Sequence, residues 1–101
     1  MAKHSNVVRF IVDKENQDAF VQAFENFPHC NGLLSHILIH TGENTFCSCG
    51  LWQDKDAMDN AMPDMISLLN ASRHLLVEIS PETGVTDPVS GSVVFEQNLA
   101  D

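Results

Sequence analysis

Two neighbouring stretches, Leu33 to His40 and Thr45 to Trp52, constrain this chain more than any other part of it. They flank a tight Thr41-Gly-Glu-Asn44 reversal and read as the two arms of an antiparallel hairpin. Side chains alternate along a strand, so Leu33, Ile37 and Ile39 project to one side of the first arm and Leu34 and Leu38 to the other. Both faces of the hairpin are therefore apolar. An antiparallel sheet covered by helices on one side only shows a polar outer face. This hairpin needs cover on both sides, helices on one and a second copy of the chain on the other.

The flanking segments supply the rest of the sheet and its helices. Val7 to Val12 is β-branched and aromatic and reads as a first strand. Asp13 is placed to cap a helix, with Glu15 in its first turn. Phe20, Ala23, Phe24 and Phe27 recur at helical spacing and give that helix one aromatic face, which Pro28 ends. Asp54 caps a second helical region carrying Met58, Ala61, Met62, Met65, Leu68 and Leu69, in which Pro63 is expected to make a break or kink. Leu75 to Ile79 admits two readings. Val77 and Ile79 favour a strand, whereas the spacing of Met65, Leu68, Leu69, Leu76 and Ile79 favours helix up to Ser80-Pro81, and helix is preferred. A Gly- and Pro-containing loop follows, and Ser92 to Gln97 reads as the last strand.

The order is β-α-β-β-α-β. With right-handed crossovers it gives an α+β, ferredoxin-like antiparallel sheet in spatial order 4-1-3-2, helices on one face, pairing with a second copy. Residues 1–101 form one domain, because two cores could not both be filled at this length. A net charge of −9 argues against nucleic acid and anionic membrane surfaces as partners. No run of apolar residues approaches a membrane span or the core of a signal peptide. Three cysteines without a framework of spacings read as reduced thiols, so the expected location is the cytoplasm.

From Gly32 to Trp52, and on into Gln53-Asp54-Lys55-Asp56-Ala57, the chain resembles the antibiotic biosynthesis monooxygenase-like family of dimeric α/β barrels. The shared features are a glycine opening the second strand, a polar Gly-Glu-Asn reversal, a strand ending in Trp52 and an acid-rich helix start. The resemblance implies a homodimer of face-to-face sheets, with one pocket per subunit between sheet and helices. It further implies oxygenation of a small aromatic or quinol-like substrate with no metal or flavin, the substrate anion itself reacting with oxygen. Haem-degrading relatives use an asparagine early in the first strand and a tryptophan and a histidine on the second helix. Asn6 matches the asparagine and His74 roughly the histidine, but Ala61 stands near the place of the tryptophan, which counts against haem.

The candidate catalytic residues are Asn6, Trp52 and His74. Antiparallel pairing of the first and third strands places Asn6 beside Trp52, where an amide and an indole orient a planar oxygenated ligand. The competing reading is a polar strand start beside a packed core tryptophan. His74 serves as a general base or lies on the surface. Phe10, Phe46, Met58 and Met62 are the expected apolar walls. Arg9 is expected to pair with Glu96 on the last strand. His36 and His40 share one strand face and Cys47 and Cys49 another, and a zinc site exists only if the register makes those faces coincide. Packed thiols are the default. No cofactor and no metal are expected.

Overall fold

The computed structural model describes residues 2–99 and has the expected order of elements. These are β1 (His4–Ile11), α1 (Gln17–Glu25), β2 (Leu33–His40), β3 (Thr45–Trp52), α2 (Lys55–Ser72) and β4 (Asp87–Ser92). Short 3-10 turns lead into α1 at Lys14–Asn16 and out of α2 at Arg73–Leu75. The four strands form one antiparallel sheet in the order β2-β3-β1-β4. This is the ferredoxin-like arrangement. Among the described residues, no helix is long and apolar enough to cross a membrane.

Alternation on β3 decides which face the helices cover. Phe46, Ser48, Gly50 and Trp52 are buried, while Cys47, Cys49 and Leu51 between them are only partly so. On the buried side Phe10, Phe20, Phe24 and Phe46 form an aromatic cluster, with neighbouring ring centroids 5.1 to 5.9 Å apart in edge-on and tilted pairs. Such pairs contribute beyond simple burial because ring edges and faces carry opposite partial charge. A second cluster joins Trp52 to Cys30, Ala57, Met58 and Ala61. Gly32 lets the start of α2 approach. Its φ is +84°, and a Cβ there would stand 2.5 Å from that of Ala57. Asp54 caps α2 by accepting the Ala57 N–H at 2.8 Å.

The open face of the sheet remains apolar and uncovered within one chain, Ile37 being 56% and Val89 61% exposed. Both faces of the hairpin are apolar as expected, but Leu33 joins the helix side rather than that of Ile37 and Ile39. A bulge between Leu33 and Ser35 shifts the register and re-aims it, so that it packs against the Trp52 cluster.

Four further expectations are corrected. Helix does not continue to Ile79: α2 ends at Ser72, Leu76 is extended, and the Val77 N–H donates to the Ile11 carbonyl at 2.9 Å. A bridge to β1 outcompetes the helical spacing there. Pro63 does not divide α2, which runs through it as one helix. The proline removes one donor, from an exposed position. The last strand is Asp87–Ser92, not Ser92 to Gln97. It contains Pro88, tolerated because β4 is an edge strand. Arg9 accordingly pairs with Asp87 and not Glu96, its Nε donating to Oδ2 at 2.9 Å, while Glu96 binds Lys3 at 2.7 Å.

Phe20 is 1% exposed and touches three other rings of its cluster. Phe20→Ala should cost about 3–5 kcal/mol, read from the urea midpoint at unchanged slope. A loss under about 1 kcal/mol would show that the aromatic cluster does not anchor the fold.

Candidate functional site

The strand register assembles a row of residues on the helix-facing side. Ser90 of β4 lies opposite Asn6 of β1, Asn6 opposite Gly50 of β3, and Gly50 opposite His36 of β2. All four line a cavity of about 420 Å³ between sheet and helices. That volume lies within the range of small-molecule sites. Phe24 and Phe27 of α1 and Met58, Met62, Met65 and Ile66 of α2 supply apolar walls. Met62 and Ile66 are also 44% and 52% exposed and rim the entrance.

The indole Nε1–H of Trp52 donates to Asn6 Oδ1 at 2.8 Å. Trp52 is 1% exposed, so this bond satisfies a buried donor. It passes over Gly50, where a Cβ would come within 2.6 Å of Asn6 Oδ1 and 3.2 Å of Trp52 Nε1.

The His36 ring sits 4.7 Å from that of Phe27 and 5.5 Å from that of Phe24. Burial against these rings lowers its pKa, because an imidazolium there would lose hydration without a compensating anion. The imidazole is thus neutral at pH 7, with one nitrogen free to accept a proton. The hydroxyls of Ser48, Ser72, Thr86 and Ser90 are the other polar groups of the cavity. Among the described residues no carboxylate, lysine or arginine lines it. An anionic ligand would find no countercharge there, so the cavity suits a neutral or weakly acidic molecule.

The structure brings Asn6 and Trp52 together, and does not bring His74 to them. His74 lies in the 3-10 turn after α2, exposed and off the cavity wall, while Ser72 and Leu76 on either side of that turn face inward. Phe10, Met58 and Met62 line the cavity, whereas Phe46 packs in the aromatic core beside it. The register puts His36 and His40 on the helix side and Cys47 and Cys49 on the open side, paired with Ile39 and Ile37. The four cannot converge on one ion. Sequence reasoning grouped His36 with that cluster and missed its place in the cavity. Its alignment with Gly50 is the signal, legible only once the hairpin is known to close between Thr41 and Thr45.

No protein-family model matches the chain, and no curated protein matches it. Its fold is that of several solved structures. One is SnoaB of Streptomyces nogalater, a cofactor-independent oxygenase, 20% identical over all of both chains with a TM-score of 0.64. Another, from Chloroflexus aurantiacus, is provisionally named an antibiotic biosynthesis monooxygenase. It is 10% identical, with 98% of this chain and 100% of that one covered and a TM-score of 0.75. A third, from an uncultured marine organism, is described as a dimeric ferredoxin-like protein, 11% identical over 99% and 95% of the two chains, with a TM-score of 0.74.

The depressed His36 pKa has a consequence for stability. In the unfolded chain His36 titrates near 6.5, and in the folded chain lower. Between those values the unfolded chain binds more protons, so stability falls as pH drops below about 6.5. Melting temperatures from pH 7 to pH 5 should decline less steeply in His36→Gln than in the wild type. Parallel profiles would place this imidazole in solvent.

Proposed function

We propose that this chain acts as a homodimer whose cavities each take a small, flat aromatic or quinol-like molecule and oxygenate it without a resident cofactor. The observation that carries the reading is the cavity itself: apolar walls, an asparagine amide fixed by Trp52, and a neutral imidazole in the same row of the sheet. The likeness to SnoaB supports it at the level of fold alone.

In the proposed reaction His36 takes a proton from an acidic C–H or O–H of the bound molecule, and Asn6 steadies the oxygen on which negative charge develops. The electron-rich anion then reduces dioxygen. A ring methylene becomes a carbonyl, one oxygen atom entering the product and the other leaving as water with the two hydrogens removed. The substrate supplies all the electrons, and no outside reductant is needed. Exclusion of water by the methionine and phenylalanine walls protects the anion from reprotonation.

The uncovered apolar face supports the dimer. Ile37, Ile39 and Val89 expose apolar surface that monomers rarely leave in contact with water. A second copy packed there would cover the sheet and leave both cavities on the outer, helical sides. Light scattering should give a dimer, and a stable monomer at micromolar concentration would overturn the pairing. A non-catalytic binding dimer is the competing reading, favoured by one fact: among the described residues His36 is the cavity's sole acid–base group of ordinary range.

A panel of anthrones and naphthols separates the two. Binding should quench Trp52, the chain's single tryptophan, and Asn6→Ala should weaken that response. Saturable oxygen uptake without added flavin or metal, reduced about a hundredfold in His36→Ala, supports the enzyme. Quenching with no uptake supports the binder, and neither signal across the panel would sink both.

A further inference from the structure

We infer that Trp52 and Gly50 lock the Asn6 amide in one orientation, making it a fixed hydrogen-bond donor that selects ligands bearing a carbonyl oxygen. The inference rests on the reading of the cavity as a small-molecule site and specifies what that site recognises.

The indole N–H of Trp52 can donate and never accept, so the amide atom facing it at 2.8 Å is the Asn6 oxygen. The amide nitrogen must point elsewhere. Among the described residues no group accepts from it, yet no occluded side-chain polar atom is left without a partner. The nitrogen is therefore accessible, and Asn6 lines the cavity. A free asparagine turns over to present oxygen or nitrogen as a ligand requires. Here a turn would strand the donor of a tryptophan that is 1% exposed, disfavouring the flipped form about ten- to a hundredfold.

Gly50 makes the lock possible. Its φ is not positive, since among the described residues only Gly32 and Gly84 have positive φ, so backbone freedom is not what a glycine supplies there. Space is. Asn6 Oδ1 lies where any side chain at position 50 would begin, 2.6 Å from an added Cβ and on the directly paired residue. Even alanine must displace the oxygen or the indole. Asn6 is thus the contact residue, and Gly50 and Trp52 are positioning residues.

The test compares 9-fluorenone, a neutral tricycle with one carbonyl, with fluorene, the same skeleton without oxygen, by calorimetry. The wild type should prefer the ketone about tenfold. Asn6→Asp at pH 8 keeps an acceptor for the indole but removes the donor, and should abolish the preference while fluorene still binds. The indole ¹⁵N–¹H resonance of the sole tryptophan reports the lock without any ligand. It should lie downfield and exchange slowly in the wild type, and shift and exchange faster in Gly50→Ala and Asn6→Ala. A ketone preference surviving in Asn6→Asp overturns the inference, as does an indole resonance unmoved in Asn6→Ala. Should Gly50→Ala fail to fold, as judged by spectral dispersion, the two Asn6 variants decide. Failure of both tricycles to bind overturns the cavity reading and the selectivity built on it, whereas an unmoved resonance overturns the lock alone.

Discussion

The antiparallel pairing of β1 with β3 is the constraint on which the rest of the molecule depends. Because side chains alternate, its register decides which residues meet the helices and which meet solvent. In the observed register Asn6 faces Gly50, Val8 faces Ser48 and Phe10 faces Phe46, all on the helix side. A slip of one residue would turn Val7, Arg9 and Ile11 into the core and set Asn6 and Phe10 outside. The aromatic cluster and the Trp52 hydrogen bond, one near each end of the pairing, both oppose such a slip. The contacts that hold the sheet in register are therefore also those that shape the cavity.

Much of this was legible in the sequence, and the failures have local causes. Order of elements, strand order and the apolar open face follow from periodicity and the rule of right-handed crossovers. The nearness of Asn6 and Trp52 follows from pairing the first strand with the third. What could not be read were the places where distant contacts override local preference. Val77 leaves a helical pattern to reach the Ile11 carbonyl. Asp87–Ser92 looks like a loop by composition, yet it pairs with β1 along an edge. His36 was visible as one of two histidines on a strand, but the turn closure between Thr41 and Thr45 that aligns it with Gly50 leaves no mark in periodicity. His74 suffered the reverse error. The end of α2 at Ser72, which leaves it exposed, depends on the bridge made by Val77.

Protein interiors are normally packed without voids larger than a water molecule. A cavity of about 420 Å³ in a chain of 101 residues is a substantial departure. Its lining side chains forgo dispersion contacts that a filled core would provide. The molecule concentrates its tight packing on the flanks, around Phe20 on one side and Trp52 on the other, and leaves the region between them open. Methionines supply much of the α2 wall, and their flexible thioethers adapt to an occupant better than branched side chains do.

The strand order also sets a timetable. The β2–β3 hairpin joins neighbours in sequence and can form as soon as its turn is made. β1 is synthesised first and sits in the middle of the sheet, yet its partners lie far along the chain. The Asn6–Trp52 bond spans 46 residues and the Arg9–Asp87 bond 78. Loop closure over such distances must precede any return in contacts, which slows folding. While a nascent chain waits for β4, one edge of β1 stands unpaired. The central strand, which orders everything in the finished molecule, is the last to be enclosed.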